Sequence, residues 1–332
     1  MAEGIEKIED MIVRAAETTA THVQAAKAAI GAVIFGQEKV VEHALITVLS
    51  GGHGLLIGVP GLAKTKLVEN MGIVLGLDAR RVQFTPDLMP SDILGTEVLE
   101  ESAGGKRSFR FISGPIFAQL LMADEINRAS LRTQSALLQA MQEQHVTVAG
   151  SRHDLPRPFH VLATQNPLEQ EGTYPLPEAQ LDRFLMEIDV DYPDKEAERR
   201  ILFDTTGAEE TKAKPAMTAE DLMAAQRLVR RLPVGESVIE AILALVRSAR
   251  PGPESGASGK LIAWGPSPRA SQALMLAVRA RALLEGRYAP SIDDVLALAE
   301  PVLKHRMALT FSARAEGETI PAVVGRLKAR IG

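Results

Sequence analysis

The chain has 332 residues, 46% of them apolar, 24% charged and 4% aromatic, with a formal net charge of −5 and a pI near 5.9. That length allows two domains with sizeable cores, the acidic balance argues against a nucleic-acid binder with a basic face, and the absence of cysteine excludes disulfides and thiolate metal sites. No uninterrupted apolar run is long enough to predict a membrane span, and Glu3, Glu6, Glu9 and Asp10 leave no signal peptide visible, so a cytoplasmic address is expected.

Residues 1–33 read as an Ala-rich helix, with Ile5, Ile8, Met11 and Ile12 near helical spacing, packed against the core. Residues 34–190 alternate strand-like and helix-like stretches, the pattern of a parallel sheet with crossover helices. Strands are predicted near 53–58, 81–85, 117–123, 159–165 and 185–190.

After the first strand stand Gly58, Val59, Pro60, Gly61, Leu62, Ala63, Lys64 and Thr65, followed by a helix-like run from Lys66 to Met71. Strand, glycine-bearing loop, Lys-Thr and helix is the layout of a phosphate-binding loop. Glycines let backbone N–H groups turn onto phosphate oxygens, and the helix adds its positive N-terminal end. Lys64 is placed to reach the β- and γ-phosphates and Thr65 to hold Mg²⁺. Ala63 replaces the usual glycine; it fits if that residue is right-handed and is strained if φ is positive.

The run Phe117–Ala123 ends in Asp124 and Glu125, two carboxylates where open α/β sheets bind ligands. Asp124 suits Mg²⁺ through water; Glu125 suits orienting or deprotonating the attacking water. The run Phe159–Gln165 ends at Asn166, whose amide can meet a water or the γ-phosphate, and whose simpler role is to start a turn before Pro167. Arg183 is a candidate to stabilise a transferring phosphoryl group from a neighbouring subunit, or merely to pair with Asp182 or Glu178. Arg269 opens a long helix and is expected to reach back to the phosphates.

Two stretches interrupt the alternation. Residues 86–115 read as a β-hairpin turning at Ala103, Gly104 and Gly105, with Leu99, Phe109 and Phe111 among its apolar residues and one face packed on the core. Residues 144–154 read as a second hairpin, whose turns scatter His145, His153 and His160 too widely for a metal site. From about 194 the chain is helical, with helices near 195–207, 218–231, 235–250, 268–286 and 291–304; the stretch 310–322 reads as loop.

In this order the parts resemble an AAA+ ATPase, and within that group the MoxR family. The resemblance is carried by Phe35-Gly36-Gln37, the loop at 58–65, Asp124-Glu125-Ile126-Asn127-Arg128-Ala129, the helix from Thr133 to Glu143, Ala163-Thr164-Gln165-Asn166-Pro167, Glu178-Ala179-Gln180-Leu181-Asp182-Arg183-Phe184 and Ser267-Pro268-Arg269-Ala270-Ser271. It covers roughly residues 30–310.

The resemblance implies an α/β fold: an AAA+ P-loop core over 34–193, after the N-terminal helical segment 1–33, with its hairpin insert near 86–115, and a small all-helical lid over 194–332. It implies that ATP and Mg²⁺ are the cofactors. Gly36, Gln37, Gly58, Pro60, Gly61, Leu62, Ala63, Lys64, Thr65 and Lys66 would contact the nucleotide, and Thr65 and Asp124 the metal. Glu125, Asn166 as sensor 1, Arg183 as an arginine finger acting across a subunit interface, and Arg269 as sensor 2 acting within its own subunit would form the catalytic set. Arg128 and Arg132 are rival interface arginines. ATP is expected between the two domains of one subunit, with hydrolysis moving the lid.

The resemblance further implies a homo-oligomeric ring, a hexamer, that remodels client proteins. A von Willebrand factor A-domain protein and a client enzyme undergoing maturation or metal and cofactor loading are the implied partners. Two other readings compete: a ring ATPase acting on nucleic acid, disfavoured by the acidic balance, and a non-hydrolysing ATP-controlled scaffold, disfavoured by the intact Lys64, Asp124, Glu125 and Arg183 set.

Overall fold

The computed structural model describes residues 2–101, 107–169, 172–207 and 211–331. Helix α1 (Ala2–Gly31) buries Val23, Ala26 and Ile30 along one stripe, while Ile5, Ile8, Met11 and Ile12 lie outside the residues whose side chains are described. Helix α2 (Glu38–Leu49) leads into β1 (Gly54–Ile57), and α3 (Lys64–Val74) into β2 (Ala79–Gln83).

A short α4 (Pro90–Leu94) precedes a hairpin of β3 (Gly95–Glu101) and β4 (Arg107–Ser113); the expected turn at Ala103, Gly104 and Gly105 lies outside the described residues. Then come β5 (Leu120–Asp124), α5 (Leu131–Glu143), a second hairpin of β6 (His145–Val148) and β7 (Ser151–Asp154), and β8 (His160–Gln165). A short α6 (Glu178–Leu181) and β9 (Met186–Asp189) complete this part.

Five strands form one sheet in the order β2-β5-β8-β1-β9, and every pairing is parallel. β5 is buried at each position, as an interior parallel strand covered on both faces must be. Successive residues enter different cores: Leu56, Met122 and Leu162 join one apolar cluster, whereas Leu55, Leu121 and Val161 join another. The period of two along a strand makes these the two faces of the sheet. β2, an edge strand with only Val82 buried, starts two residues before its expected position.

Helices follow: α7 (Lys195–Thr206), α8 (Ala219–Arg231), α9 (Glu236–Ser248), then β10 (Ile262–Trp264), α10 (Pro268–Leu284), α11 (Ile292–Leu303) and β11 (Ala308–Leu309). β10 and β11 pair antiparallel, so the helical lid carries one small ladder. The stretch 310–322 is not plain loop: Thr310 and Thr319 accept N–H bonds from Ala313 and Ala322 and start α12 (Phe311–Ala315) and α13 (Ile320–Lys328). The lid docks on the first part through α10 against α1 and α2, and α11 against β9. Asp294, fully buried at the start of α11, takes hydrogen bonds from Arg281, Arg287 and Ser291, and Arg281 continues to Glu42 of α2.

Candidate nucleotide site

Because the sheet is parallel, the C-terminal ends of its strands share one edge. The loop after β1, Asp124 and Glu125 at the end of β5, and Asn166 after β8 therefore meet there. They line a cavity of about 450 Å³ with Pro60, Gly61, Leu62, Ala63, Lys64, Thr65, Lys66, Arg81, Gln83 and Thr164.

Gly58 is required by close approach: a Cβ there would sit 2.5 Å from the Val190 carbonyl oxygen. Gly61 has φ +86°, a left-handed backbone that glycine takes without cost. Ala63 also is left-handed, at φ 57° and ψ 19°, just ahead of α3. This is the strained alternative, worth about 1–2 kcal/mol for a residue with a Cβ. Lys64 Nζ donates to the carbonyls of Gly58 and Val59, both at 2.7 Å. Burial pulls its pKa below the ordinary value, opposed by Asp124 and Glu125.

The carboxylates are held tightly. Asp124 accepts from Thr164 Oγ1 at 2.5 Å on one oxygen and from Arg81 Nη2 at 2.6 Å on the other. Glu125 is left-handed at φ 55°, its N–H donating to the same Thr164 hydroxyl at 2.9 Å. Its carboxylate accepts from Gln83 Nε2 at 2.6 Å and Arg128 Nη1 at 2.9 Å. Asn166, buried, accepts the Leu168 N–H through Oδ1, which leaves its NH₂ as donor.

A second cavity of about 480 Å³ shares Pro60–Ala63 and Lys66 and is otherwise lined by Val33, Ile34, Phe35 and Gln37 on one side and by α7 residues including Ile201 and Asp204 on the other. Asp204 Oδ2 is buried there without a hydrogen bond, with Lys66 Nζ 3.9 Å away as its charge partner. A phosphate cradle beside an apolar slot fits a nucleoside triphosphate. The hard oxygens of Thr65 and Asp124 fit Mg²⁺, an ion usually shared with phosphates rather than caged by protein alone. Gly36 and Gly58 line neither cavity: a Cβ on Gly36 would lie 2.4 Å from that of Ala197, and Gln37 ties Asp191 by a 2.7 Å bond to its carbonyl.

Arg183 and Arg269 lie elsewhere. Both line a third cavity, of about 250 Å³, with Gly52, His53, Leu185 and Arg306. Gly52 and His53 precede β1, and Leu185 precedes β9, so this cavity sits at the N-terminal edge of the sheet. β1 alone separates the two edges by about 13 Å. The expectation that Arg269 reaches the phosphates of its own subunit is thus corrected: the lid docks with the start of α10 at the wrong edge for that. The nucleotide cavities are lined by the core, Val33 and α7, the first helix after residue 194, and not by α8–α13. Neither guanidinium has a hydrogen bond or ion pair among the described residues; Asp182, the nearby acid, is taken by Arg306.

In the first hairpin Phe111 stacks on His153 at 3.8 Å and edges against Phe117, whereas Leu99 and Phe109, directly opposite each other, are exposed. His145 pairs with Glu143, and His160 is buried between Gly52 and Gln226.

A family model for the "ATPase family associated with various cellular activities (AAA)" matches residues 53–186, and one for the "AAA lid domain" matches 256–327. The chain is 42% identical over 297 residues to Chaperone MoxR1 of Mycobacterium tuberculosis, covering 89% of this chain and 78% of that protein. It is 33% identical to Protein MoxR of Paracoccus denitrificans, covering 90% of this chain and 92% of the other. The chain belongs to the MoxR family of AAA+ ATPases. YeaC of Bacillus subtilis is 40% identical across 91% of this chain and 92% of its own. A crystal structure of a Cytophaga hutchinsonii protein, 35% identical, superposes with TM-score 0.90 over 97% of this chain and 98% of that one.

Within this MoxR-family site, Arg81, Gln83 and Thr164 escaped sequence reasoning. The alternation in β2 puts Arg81 and Gln83 on one face, and register sets Gln83 opposite Asp124, but only the strand order reveals that β2 borders β5. No described helix is long and apolar enough to cross a membrane.

Proposed function

We propose that the chain is an ATP-hydrolysing, chaperone-like remodelling protein that works as a homo-oligomeric ring, a hexamer by family resemblance. The observation that carries this is the placement of Arg183 and Arg269, unpaired and together, at the sheet edge opposite the phosphate loop. A head-to-tail contact between copies, the heterologous kind that closes rings, brings the arginine edge of one subunit to the loop edge of the next. Both arginines then act on the neighbour's nucleotide.

In that site Gly61 to Thr65 bind the phosphates through main-chain N–H groups, and Lys64 exchanges its carbonyl partners for β- and γ-phosphate oxygens. Thr65 and Asp124 would hold Mg²⁺, which neutralises phosphate charge when bound. Glu125 orients a water against the γ-phosphorus, and the Asn166 NH₂ donates to that water or to a γ-oxygen. The water oxygen bonds to phosphorus, the bond to the β–γ bridging oxygen breaks, and the proton passes to Glu125; ADP and phosphate leave. The neighbour's Arg183 and Arg269 offset charge on the transferring group.

The protruding hairpin, with Leu99 and Phe109 at 55% and 71% exposure, is the surface that engages a client. A cytoplasmic setting, a von Willebrand factor A-domain partner and a client enzyme undergoing maturation or metal and cofactor loading complete the reading by family resemblance.

Subunit mixing tests it. Lys64→Ala and Arg183→Ala proteins are each expected to be nearly inactive as ATPases. Mixed, Lys64→Ala subunits lend their arginines to the intact loops of Arg183→Ala subunits, and turnover returns. A mixture that forms mixed oligomers yet stays inactive rules the arrangement out.

A further inference from the structure

Asp182 lies at the same sheet edge as both arginines. It precedes Arg183 directly. Its Oδ1 accepts from Arg306 Nε at 2.7 Å, and its Oδ2 accepts from Ser267 Oγ at 3.0 Å. Arg306, just after α11, is only 2% exposed, and its remaining N–H groups donate to the carbonyls of Phe184, Leu185 and Val302. Ser267 is the cap of α10, its hydroxyl oxygen also accepting from the Arg269 N–H at 3.2 Å. One carboxylate thus touches the turn that carries Arg183, the helix start that carries Arg269, and a buried cation rooted in the lid.

We infer that Asp182 is a positioning residue: joined to Arg306 and Ser267, it fixes Arg183 and Arg269 in one frame and delivers them as a preset pair to an anionic phosphate group on the next subunit. This rests on the proposed action of both arginines across the subunit contact. A guanidinium pair set in advance loses little freedom when the phosphate arrives, and catalysis by positioned charge is sensitive to small displacements. The same joint bridges lid and core, so the lid does not swing freely from the core at this point.

The test uses the full chain, assembled with ATP and magnesium. kcat and KM are measured for the unaltered protein, Arg183→Ala, Arg269→Ala, Asp182→Asn, Ser267→Ala and Ser267→Thr. A fluorescent ATP analogue reports nucleotide affinity, and thermal melts report folding. Asp182→Asn and Ser267→Ala are expected to lower kcat roughly 10- to 100-fold, the scale for misplacing a catalytic group by about 1 Å. Affinity for the analogue should stay within about threefold, because the loop is untouched.

Ser267→Thr, which keeps the hydroxyl, should recover the turnover lost in Ser267→Ala. Adding Ser267→Ala to Arg183→Ala should cost little more, since the two act through one pair. Asp182→Asn strands Arg306 as a buried cation; where that protein fails to fold, the two Ser267 variants carry the test. Folded Ser267→Ala with full turnover, beside an inactive Arg183→Ala, overturns the inference and leaves the subunit-contact reading standing. Full turnover by both arginine variants overturns the two together.

Discussion

Arg128 donates from Nη1 to Oε2 of Glu125 at 2.9 Å, within one subunit and three residues along the chain. That bond, with the charges of Glu125 and Glu169, holds the Arg128 pKa above its ordinary value. Gln83 holds the same carboxylate oxygen from the edge strand, so the group assigned to orient water is itself oriented from two sides. Arg128 is thereby engaged inside its own site, unlike Arg132, Arg183 and Arg269, whose guanidinium groups carry no such bond among the described residues.

Removing the carboxylate charge tests this directly. Glu125→Gln is expected to lower kcat by about 100- to 10,000-fold, the range for positioned acid–base groups, while nucleotide binding persists. Arg128→Ala should cost about tenfold in kcat with KM little changed, because it frees Glu125 to wander rather than removing it. Steady-state turnover beside direct nucleotide titration separates the two; loss of binding in either protein would contradict these roles.

The left-handed Ala63 yields a stability prediction. Ala63→Gly removes Cβ strain of about 1–2 kcal/mol, partly offset by the greater freedom of glycine in the unfolded chain. The net expectation is a gain of up to about 1 kcal/mol in chemical denaturation, with ATP binding retained. Destabilisation would mean that the helix start prefers its strained form.

Acid should weaken the base of the sheet. His53 is buried, accepting from the Val161 N–H and donating to the Met141 carbonyl, and desolvation together with His160 pulls its pKa to about 3. His160 is pulled to about 4 by desolvation, its Nε2 accepting from Gln226, whose amide nitrogen is fixed on the Val48 carbonyl. Both are neutral when folded, yet titrate near 6.5 when unfolded, so the unfolded chain binds more protons below that pH. The contribution of these two histidines to stability is therefore constant well above pH 6.5 and falls as pH drops toward 4, by up to about 1.4 kcal/mol per unit per histidine. Denaturant midpoints between pH 7.5 and 5 should show this slope, and His160→Gln should make it shallower even though it lowers stability.

Asp294 is expected to be indispensable to the lid. Burial raises its pKa, but hydrogen bonds from Arg287, Ser291 and Arg281 outweigh that and hold it below the ordinary carboxylate value. Asp294→Asn leaves two arginines facing a neutral group and should cost about 3–5 kcal/mol, the scale for breaking a buried ion pair. Urea unfolding measures this; a change below about 1 kcal/mol would show that Glu42 and Glu285 suffice as partners.

The strands and their chemistry were legible because each buried strand is a largely apolar run that ends at the residues carrying chemistry: Ile57 before the glycine-bearing loop, Ala123 before Asp124 and Ala163 shortly before Asn166. The helix starts expected at 195, 218 and 291 lie within one residue of those observed, where Asp194, Thr218 and Ser291 stand at the caps. What the linear pattern could not hold was the direction from which α10 docks. Arg269 is read correctly as the start of a helix and wrongly as a neighbour of Lys64, since the docking is decided by contacts such as Asp182 with Arg306, 124 residues apart. Arg81 and Gln83 were missed for the same reason, as nothing local says that β2 lies beside β5. The backbone sign at Ala63 is set by the geometry of the loop, not by the residue occupying it.

The opposite-edge placement of loop and arginines has an arithmetical consequence on the proposed arrangement. Each copy is a giver at one edge and a receiver at the other, so every open arc wastes one loop and one arginine pair, at its two ends. Two copies make a single working site, each added copy makes one more, and only closure of the ring puts every loop to use. Specific activity per copy then rises with assembly size and steps up once at closure, so turnover itself counts subunits.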